Sequence, residues 1–458
     1  MFLSACSSSK SEQKPLKPNI IFIMADDLGY GDLGCYGQQI IRTPNLDHMA
    51  AEGMRFTQFY AGSTVCAPSR ASLMTGQHTG HTHVRGNGEY PLLENDTIIP
   101  QLLRQQGYVT AMFGKWGLGL KGTAGAPQKK GWDHFMGHLH HVEAHYQQPD
   151  SMWRLENDNL IPFATPEGSY GNELFTREAV KFLNSHSGEE PFFMYLSFTL
   201  PHAELLVPEK YLQPYLNEDG GSKFAPETTW PAGKHYGPQP YPKAAYAAMV
   251  SSVDDYVGQV LEQLKKQGLD KNTLVIFTGD NGTHIEGGRR QKDVDFFKSS
   301  GPYRGTKRDL YEGGIREPFI AYWPAKIKAG SASDHIGAFW DILPTLGELT
   351  GASVPAGIDG ISFLPALMNR EGQQQHEYLY WEFHEKGGKQ AVRKGKWKAV
   401  KLDINKNPDT PIELYDLSNG PAEQNNIADR NPDIVSKMEK IMKEARTPNP
   451  IFKFPFDQ

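Results

Sequence analysis

Two apolar runs that end abruptly in acids limit the fold of this chain more than any other feature. Asn19-Ile20-Ile21-Phe22-Ile23-Met24 runs into Ala25-Asp26-Asp27, and Thr273-Leu274-Val275-Ile276-Phe277-Thr278 runs into Gly279-Asp280-Asn281-Gly282. A strand that is apolar at consecutive positions is buried on both faces, which happens where helices cover both sides of a sheet. The helical pattern over about 244–267, just before the second run, supplies such a cover. Further strands are expected at 109–113, 192–198 and 318–323, running into Lys115, His202 and Pro324. Ligands in open α/β sheets bind beyond the carboxyl ends of the strands, so these polar termini should converge on one cleft.

After a helical stretch at 339–349 the texture changes to short strands at 378–383, 390–393, 397–402 and 412–416, followed by a helix at 432–445. The 458 residues therefore divide into a tether at 1–17, a large α/β domain at 18–372 and a small α+β domain at 373–458, an antiparallel sheet plus helix. No apolar run reaches the roughly 18–20 residues that span a bilayer. Leu3-Ser4-Ala5-Cys6 resembles a bacterial lipobox, which predicts export to the periplasm or cell surface and membrane attachment only through a lipid on Cys6. The net charge of −6, with both signs interspersed, offers no basic stripe for nucleic acid. Three cysteines, Cys6, Cys35 and Cys66, exclude a disulfide framework and leave Cys35 as a small buried hydrophobe.

The densest chemistry is Cys66-Ala67-Pro68-Ser69-Arg70-Ala71-Ser72-Leu73-Met74-Thr75-Gly76. Pro68 suits the first turn of a helix, so Cys66 should meet a positive helix N-terminus with free backbone donors, and Arg70 can face the same anion. Asp26, Asp27, Asp280 and Asn281 bring oxygen donors from two strand ends. Three carboxylates crowded together need a hard cation, and calcium prefers such ligands. Lys115, His202 and Lys307, the last in Arg304-Gly305-Thr306-Lys307, are candidate cationic groups.

Cys-x-Pro-Ser-Arg followed by Leu-Met-Thr-Gly resembles the signature of the type I, formylglycine-dependent sulfatases of the alkaline phosphatase superfamily, and the likeness extends over nearly the whole chain from Pro18. The resemblance implies an alkaline-phosphatase-like α/β fold, a large mixed sheet flanked by helices. It implies that Cys66 is oxidised to formylglycine by a formylglycine-generating or anaerobic sulfatase-maturating enzyme. A serine that took a sulfo group would form a stable ester, whereas a sulfated geminal diol can expel sulfate by reforming its carbonyl. By the same resemblance Asp26, Asp27, Asp280, Asn281 and residue 66 hold calcium, Lys115 and Lys307 hold sulfate oxygens, and His202 with Lys307 serves the leaving group.

One position departs from the pattern. Many members read Gly-Lys-Trp-His-Leu-Gly, the histidine being a base, whereas this chain reads Gly114-Lys115-Trp116-Gly117-Leu118-Gly119. Gly137-His138-Leu139-His140-His141-Val142-Glu143-Ala144-His145 lies nearby, and His145 or His140 is expected to enter the vacated space. A zinc site from this cluster would lack a helical pair or a completing cysteine. The run His81-Thr82-His83-Val84-Arg85-Gly86-Asn87-Gly88 is expected to line the pocket mouth, with Asn87 or Arg85 touching substrate. The expected activity is sulfate-ester hydrolysis on a sulfated saccharide of host or algal glycans. Gly117 together with Ala144-His145-Tyr146 resembles sulfatases that point to galactose or N-acetylgalactosamine 4- or 6-sulfate. The alternatives are a phosphodiesterase or phosphonate hydrolase of the same fold and a sulfated-glycan-binding lipoprotein without turnover.

Overall fold

The computed structural model describes residues 17–186 and 188–457; Cys6 and its tether lie outside the described residues. Fifteen strands are described: β1 (Asn19–Asp26), β2 (Met54–Tyr60), β3 (Val109–Lys115), β4 (His134–His138), β5 (Ser151–Glu156), β6 (Asn159–Ala164), β7 (Phe192–Pro201), β8 (Thr273–Gly279), β9 (Arg316–Tyr322), β10 (Ser331–Ser333), β11 (Gly337–Ala338), β12 (Leu379–Phe383), β13 (Lys389–Lys394), β14 (Trp397–Lys401) and β15 (Ile412–Asp416). The first eleven form one mixed sheet in the order β10-β2-β9-β8-β1-β7-β3-β4-β5-β6, with β11 beside β2. The last four form a separate antiparallel sheet. The fold is the expected α/β arrangement with a small companion sheet.

The apolar runs are explained by burial on both faces. In β1, Ile21, Ile23 and Ala25 join one core with helices Gly171–Ser185 and Pro242–Lys266, while Ile20, Phe22 and Met24 join the opposite core with helices Cys66–Thr75, Ile99–Arg104 and Ile342–Thr350. Each large apolar side chain buried this way contributes about 1.5–3 kcal/mol, so a polar residue at any of these positions opposes the fold. In the small sheet one face packs on helix Pro432–Glu444, and the other presents Trp381 to Tyr60 and Trp340 of the large domain. The Trp381 indole donates to the Ala61 carbonyl (2.9 Å), which ties the two sheets together.

The neighbours β8, β1, β7 and β3 are all parallel. Their carboxyl ends therefore lie side by side, with Ala25 opposite Gly279, Asp26 opposite Pro201 and Gly114 opposite Ser197. β9 begins at Arg316, two residues before the apolar pattern predicted, because the polar pair Arg316-Glu317 is itself buried and paired to β2. Cys35 is only half-buried, at the margin of the core, instead of fully buried as its composition suggested.

Candidate active site

The strand ends deliver the residues together. Asp26 closes β1, and Asp27 turns the chain at φ 65, a left-handed conformation that Asp tolerates better than most residues. The Asp27 N–H donates to Asp280 Oδ1 (3.0 Å), which locks the ends of β1 and β8. Cys66 opens the helix Cys66–Thr75, whose ten residues are all buried and whose end is set by Gly76 at φ 72. The Cys66 thiol donates to Asp26 Oδ1 (3.3 Å). Burial, with Asp26 beside it, pushes that thiol up, so the sulfur holds its proton.

Around this point the charges are cross-braced. Lys115 Nζ donates to Asp26 Oδ2 (2.6 Å) and Lys307 Nζ to Asp27 Oδ2 (2.8 Å). Arg70, expected to face an anion, instead directs Nε and one terminal nitrogen to Asp280 Oδ2 (3.1 and 2.8 Å) and the other to the Lys115 carbonyl and Ser197. It braces the metal-side carboxylate because it is enclosed, only 1% exposed, with those acceptors nearest to it. Burial alone would raise Asp26, but Lys115, His202, Arg70 and Lys307 hold it well below the carboxylate range. Asp27 is pushed up to about 7 by burial, against Lys307 and with Asp26 and Asp280 adding repulsion. Burial and Asp26 also raise Asp280.

The donor set fits a hard cation. Asp27 and Asp280 are raised chiefly by burial, with repulsion from neighbouring carboxylates added, and a bound cation would relieve both. Asn281 gives its amide hydrogen to Asp27 Oδ1 (2.7 Å), while its buried Oδ1 has no partner. Asp26, Asp27, Cys66 and His202 bring ligand atoms within 4.8 Å of one another. Asp26, Asp27, Asp280 and Asn281 would supply the oxygen ligands. The other two clusters are closed hydrogen-bonded clasps. His78 Nδ1 accepts the Gly80 N–H (3.1 Å), so its proton is on Nε2 facing Asp359, and no lone pair is left for a metal. His284 accepts the Glu286 N–H (3.1 Å) and faces the Pro201 carbonyl (2.9 Å) with its other nitrogen.

The histidines sort differently from the sequence expectation. His202 faces the Ala203 carbonyl with Nδ1, which must carry the hydrogen, and its buried Nε2 has no hydrogen-bond partner. That nitrogen lies 3.4 Å from Asp27 Oδ2 and 3.6 Å from Glu286 Oε2, the same oxygens that flank Lys307 at 2.8 and 3.9 Å. His145 stacks on His202 at 4.0 Å between ring centres, so it adjoins His202 and not Gly117. His140 turns outward to Glu89 (2.8 Å). The residue against Gly117 is His141: a side chain built on Gly117 would meet only the His141 Cβ, at 3.7 Å. Burial, aided by Lys115, pushes His141 down to about 4, so it is a neutral imidazole.

Arg85 and Asn87 do not line the mouth as substrate contacts. Arg85 is 1% exposed and pairs with Glu382 (2.8 Å) of β12, because the chain after the nucleophile helix dives under the small sheet. Asn87 Oδ1 accepts the Ala67 N–H (3.0 Å) and caps the first turn of the Cys66 helix. Glu286, His141 and Tyr236 were missed in the sequence. Each lies in a connecting segment without a period, and only the nearness of Glu286 to Asp280 in the chain hinted at a role.

A buried cysteine at a helix start among carboxylates and cations, at the carboxyl edge of a parallel sheet core, is a site suited to an anionic ester in an alkaline-phosphatase-like fold. The Sulfatase family profile matches residues 18–352, and that of N-sulphoglucosamine sulphohydrolase, C-terminal, matches 304–448. N-acetylgalactosamine-6-sulfatase of Rattus norvegicus is 32% identical over 77% of this chain and 66% of its own length, so the chain spans about two thirds of that relative. Arylsulfatase A of Homo sapiens is 31% identical over 93% of this chain and 87% of its own. Among solved structures, Ps i-CgsB is similar with a TM-score of 0.78 at 28% identity, covering 96% of each chain, and it has also been solved with k-i-k-neocarrahexaose. The chain belongs to the sulfatase family, whose members work generally with a metal ion and a formylglycine.

Proposed function

We propose that this chain hydrolyses sulfate esters of saccharides, with galactose or N-acetylgalactosamine 4- or 6-sulfate as the leading substrates and calcium as the metal. The observation that carries the reading is Cys66, at a buried helix start, 3.3 Å from Asp26 and enclosed by Lys115, Lys307 and the acids of two strand ends. An all-oxygen set of three carboxylates and one amide favours calcium over softer metals. Similarity to N-acetylgalactosamine-6-sulfatases and to a structure holding a neocarrahexaose supports a saccharide.

Residue 66, once oxidised, would offer a hydrated aldehyde as nucleophile, and a bound calcium ion would supply Lewis acidity there. Asp26, Asp27, Asp280 and Asn281 would hold the metal, with Arg70 hydrogen-bonded to Asp280. Lys115 and Lys307, kept protonated by Asp26 and Asp27, stabilise charge on the sulfate oxygens. His202 and Lys307 abut the same two carboxylate oxygens, which makes them the place where a proton is held for the departing alcohol. Sulfate release from a panel of monosulfated sugars tests the reading, using protein matured with a formylglycine-generating system, with calcium or chelator, beside Cys66→Ala. Release that requires both calcium and residue 66 is the expected result, with a loss of about 10⁴ or more in the variant. Turnover of phosphonate esters in preference to every sulfate would sink it. We further propose export and lipid attachment at Cys6, from the Leu3-Ser4-Ala5-Cys6 run. Palmitate labelling that survives Cys6→Ser would refute the anchor.

A further inference from the structure

Tyr236 holds φ 75, a region that a bulky side chain occupies only where its surroundings over-determine it, and such residues cluster at functional sites. The restraints are evident. The Gly237 N–H donates to Glu204 Oε1 (2.9 Å), and the Glu204 N–H donates to the His145 carbonyl (2.9 Å). Trp230 and Gln239 exchange two backbone hydrogen bonds (2.8 and 2.9 Å), which closes the segment on itself. The result is a half-buried phenol whose hydroxyl lies 3.2 Å from His145 Nδ1. Its ring meets those of His145, His202 and Tyr146 at 6.0, 6.4 and 6.5 Å between centres. Glu286, Lys307 and Asp27 are close enough for their charges to act on it.

These contacts fix a direction. His145 stacks on His202, on the leaving-group side of the site, and Tyr146 stands 42% exposed beside it. A phenol that donates to Nδ1 of a neutral imidazole leaves the ring hydrogen on Nε2, the nitrogen without a described partner. We propose that Tyr236 is a positioning residue for the sugar half of the ester: it donates to His145 Nδ1, fixes Nε2–H as a donor to a sugar oxygen, and with Tyr146 walls that side of the cleft. The inference rests on the saccharide-sulfatase reading. A pyranose suits such a wall because its C–H faces pack on aromatic rings while its oxygens accept hydrogen bonds. An aryl ester offers no hydroxyl oxygens there, so it should not use the contact.

The test compares kcat and KM for 4-nitrophenyl sulfate, N-acetylgalactosamine 6-sulfate and galactose 4-sulfate in matured wild type, Tyr236→Phe, His145→Ala and the double variant. Tyr236→Phe should raise KM for the better saccharide about tenfold, with kcat within about threefold and the aryl ester within about twofold. The double variant should be no worse than His145→Ala, since the two act as one unit. Equal losses on both ester classes, no loss at all, or additive losses would overturn the role and leave the saccharide reading standing. Release from the aryl ester but from no saccharide would instead sink the substrate reading and the role with it. A readout independent of turnover is the ¹⁵N spectrum of histidine-labelled Cys66→Ala protein. His145 is expected as the Nε2–H tautomer, changing when Tyr236→Phe is added; an Nδ1–H tautomer refutes the proposal.

Discussion

On the floor of the site Asp26, Asp27, Asp280, Lys115, Cys66 and Arg70 each expose no more than 1% of their surface, and each sits at a strand end or in the first turns of the nucleophile helix. On the rim, His140, His141, His145 and Tyr236 come from connecting segments and remain half-buried. Buried charges are tolerated only when paired, and every cation of the floor is paired with a carboxylate. The rim is held instead by contacts between connecting segments, such as Tyr236 to His145 and His140 to Glu89. We assign the proposed chemistry to the floor and the proposed choice of sugar to the rim.

The division can be broken at its strongest point with Lys307→Ala. The variant should lose about 10²–10³ in kcat, by the same factor on 4-nitrophenyl sulfate and on a saccharide sulfate. A loss confined to the saccharide would move Lys307 to the rim.

Acid sharpens the contrast from below the floor. His138, 2% exposed at the end of β4 and in register with Lys115 of β3, and His78, 4% exposed, are both pushed down to about 4, chiefly by burial. In the unfolded chain they titrate near about 6.5. Between those values the unfolded chain binds more protons, so stability is full above about pH 6.5 and falls as pH drops toward 4. At pH 5 the loss is about 2 kcal/mol per histidine, read from urea unfolding at pH 7 and pH 5. His138→Phe should recover about half of the loss from the pair, because His138 Nδ1 has no partner to forfeit. An unchanged pH slope would mean that burial does not deny His138 its proton.

The smallest effect is expected at the rim. His141→Ala should lower kcat about tenfold, and added imidazole should restore part of it through the space beside Gly117. Unchanged kcat would reduce His141 to a wall.

What was legible followed from local pattern. β1 and β8 ended at the acids their sequences announced, and the small antiparallel sheet stood where short strands alternated. β5 and β6 escaped notice; they form an antiparallel ribbon at the sheet edge in which only Met152 and Leu160 are fully buried, so their apolar residues do not mark a buried run. Arg85 was misread because its partner Glu382 lies 297 residues away, and no local pattern reports a salt bridge between domains.

The sequence by itself placed Cys66 at a helix start and Asp26, Lys115 and Asp280 at strand ends, since such places follow rules that act over a few positions. Only the tertiary structure decided that His141 and not His140 faces Gly117, that Arg70 braces Asp280, and that Tyr236 reaches His145. Those outcomes depend on how connecting segments pack against one another, and that packing is set by contacts between residues far apart in the chain.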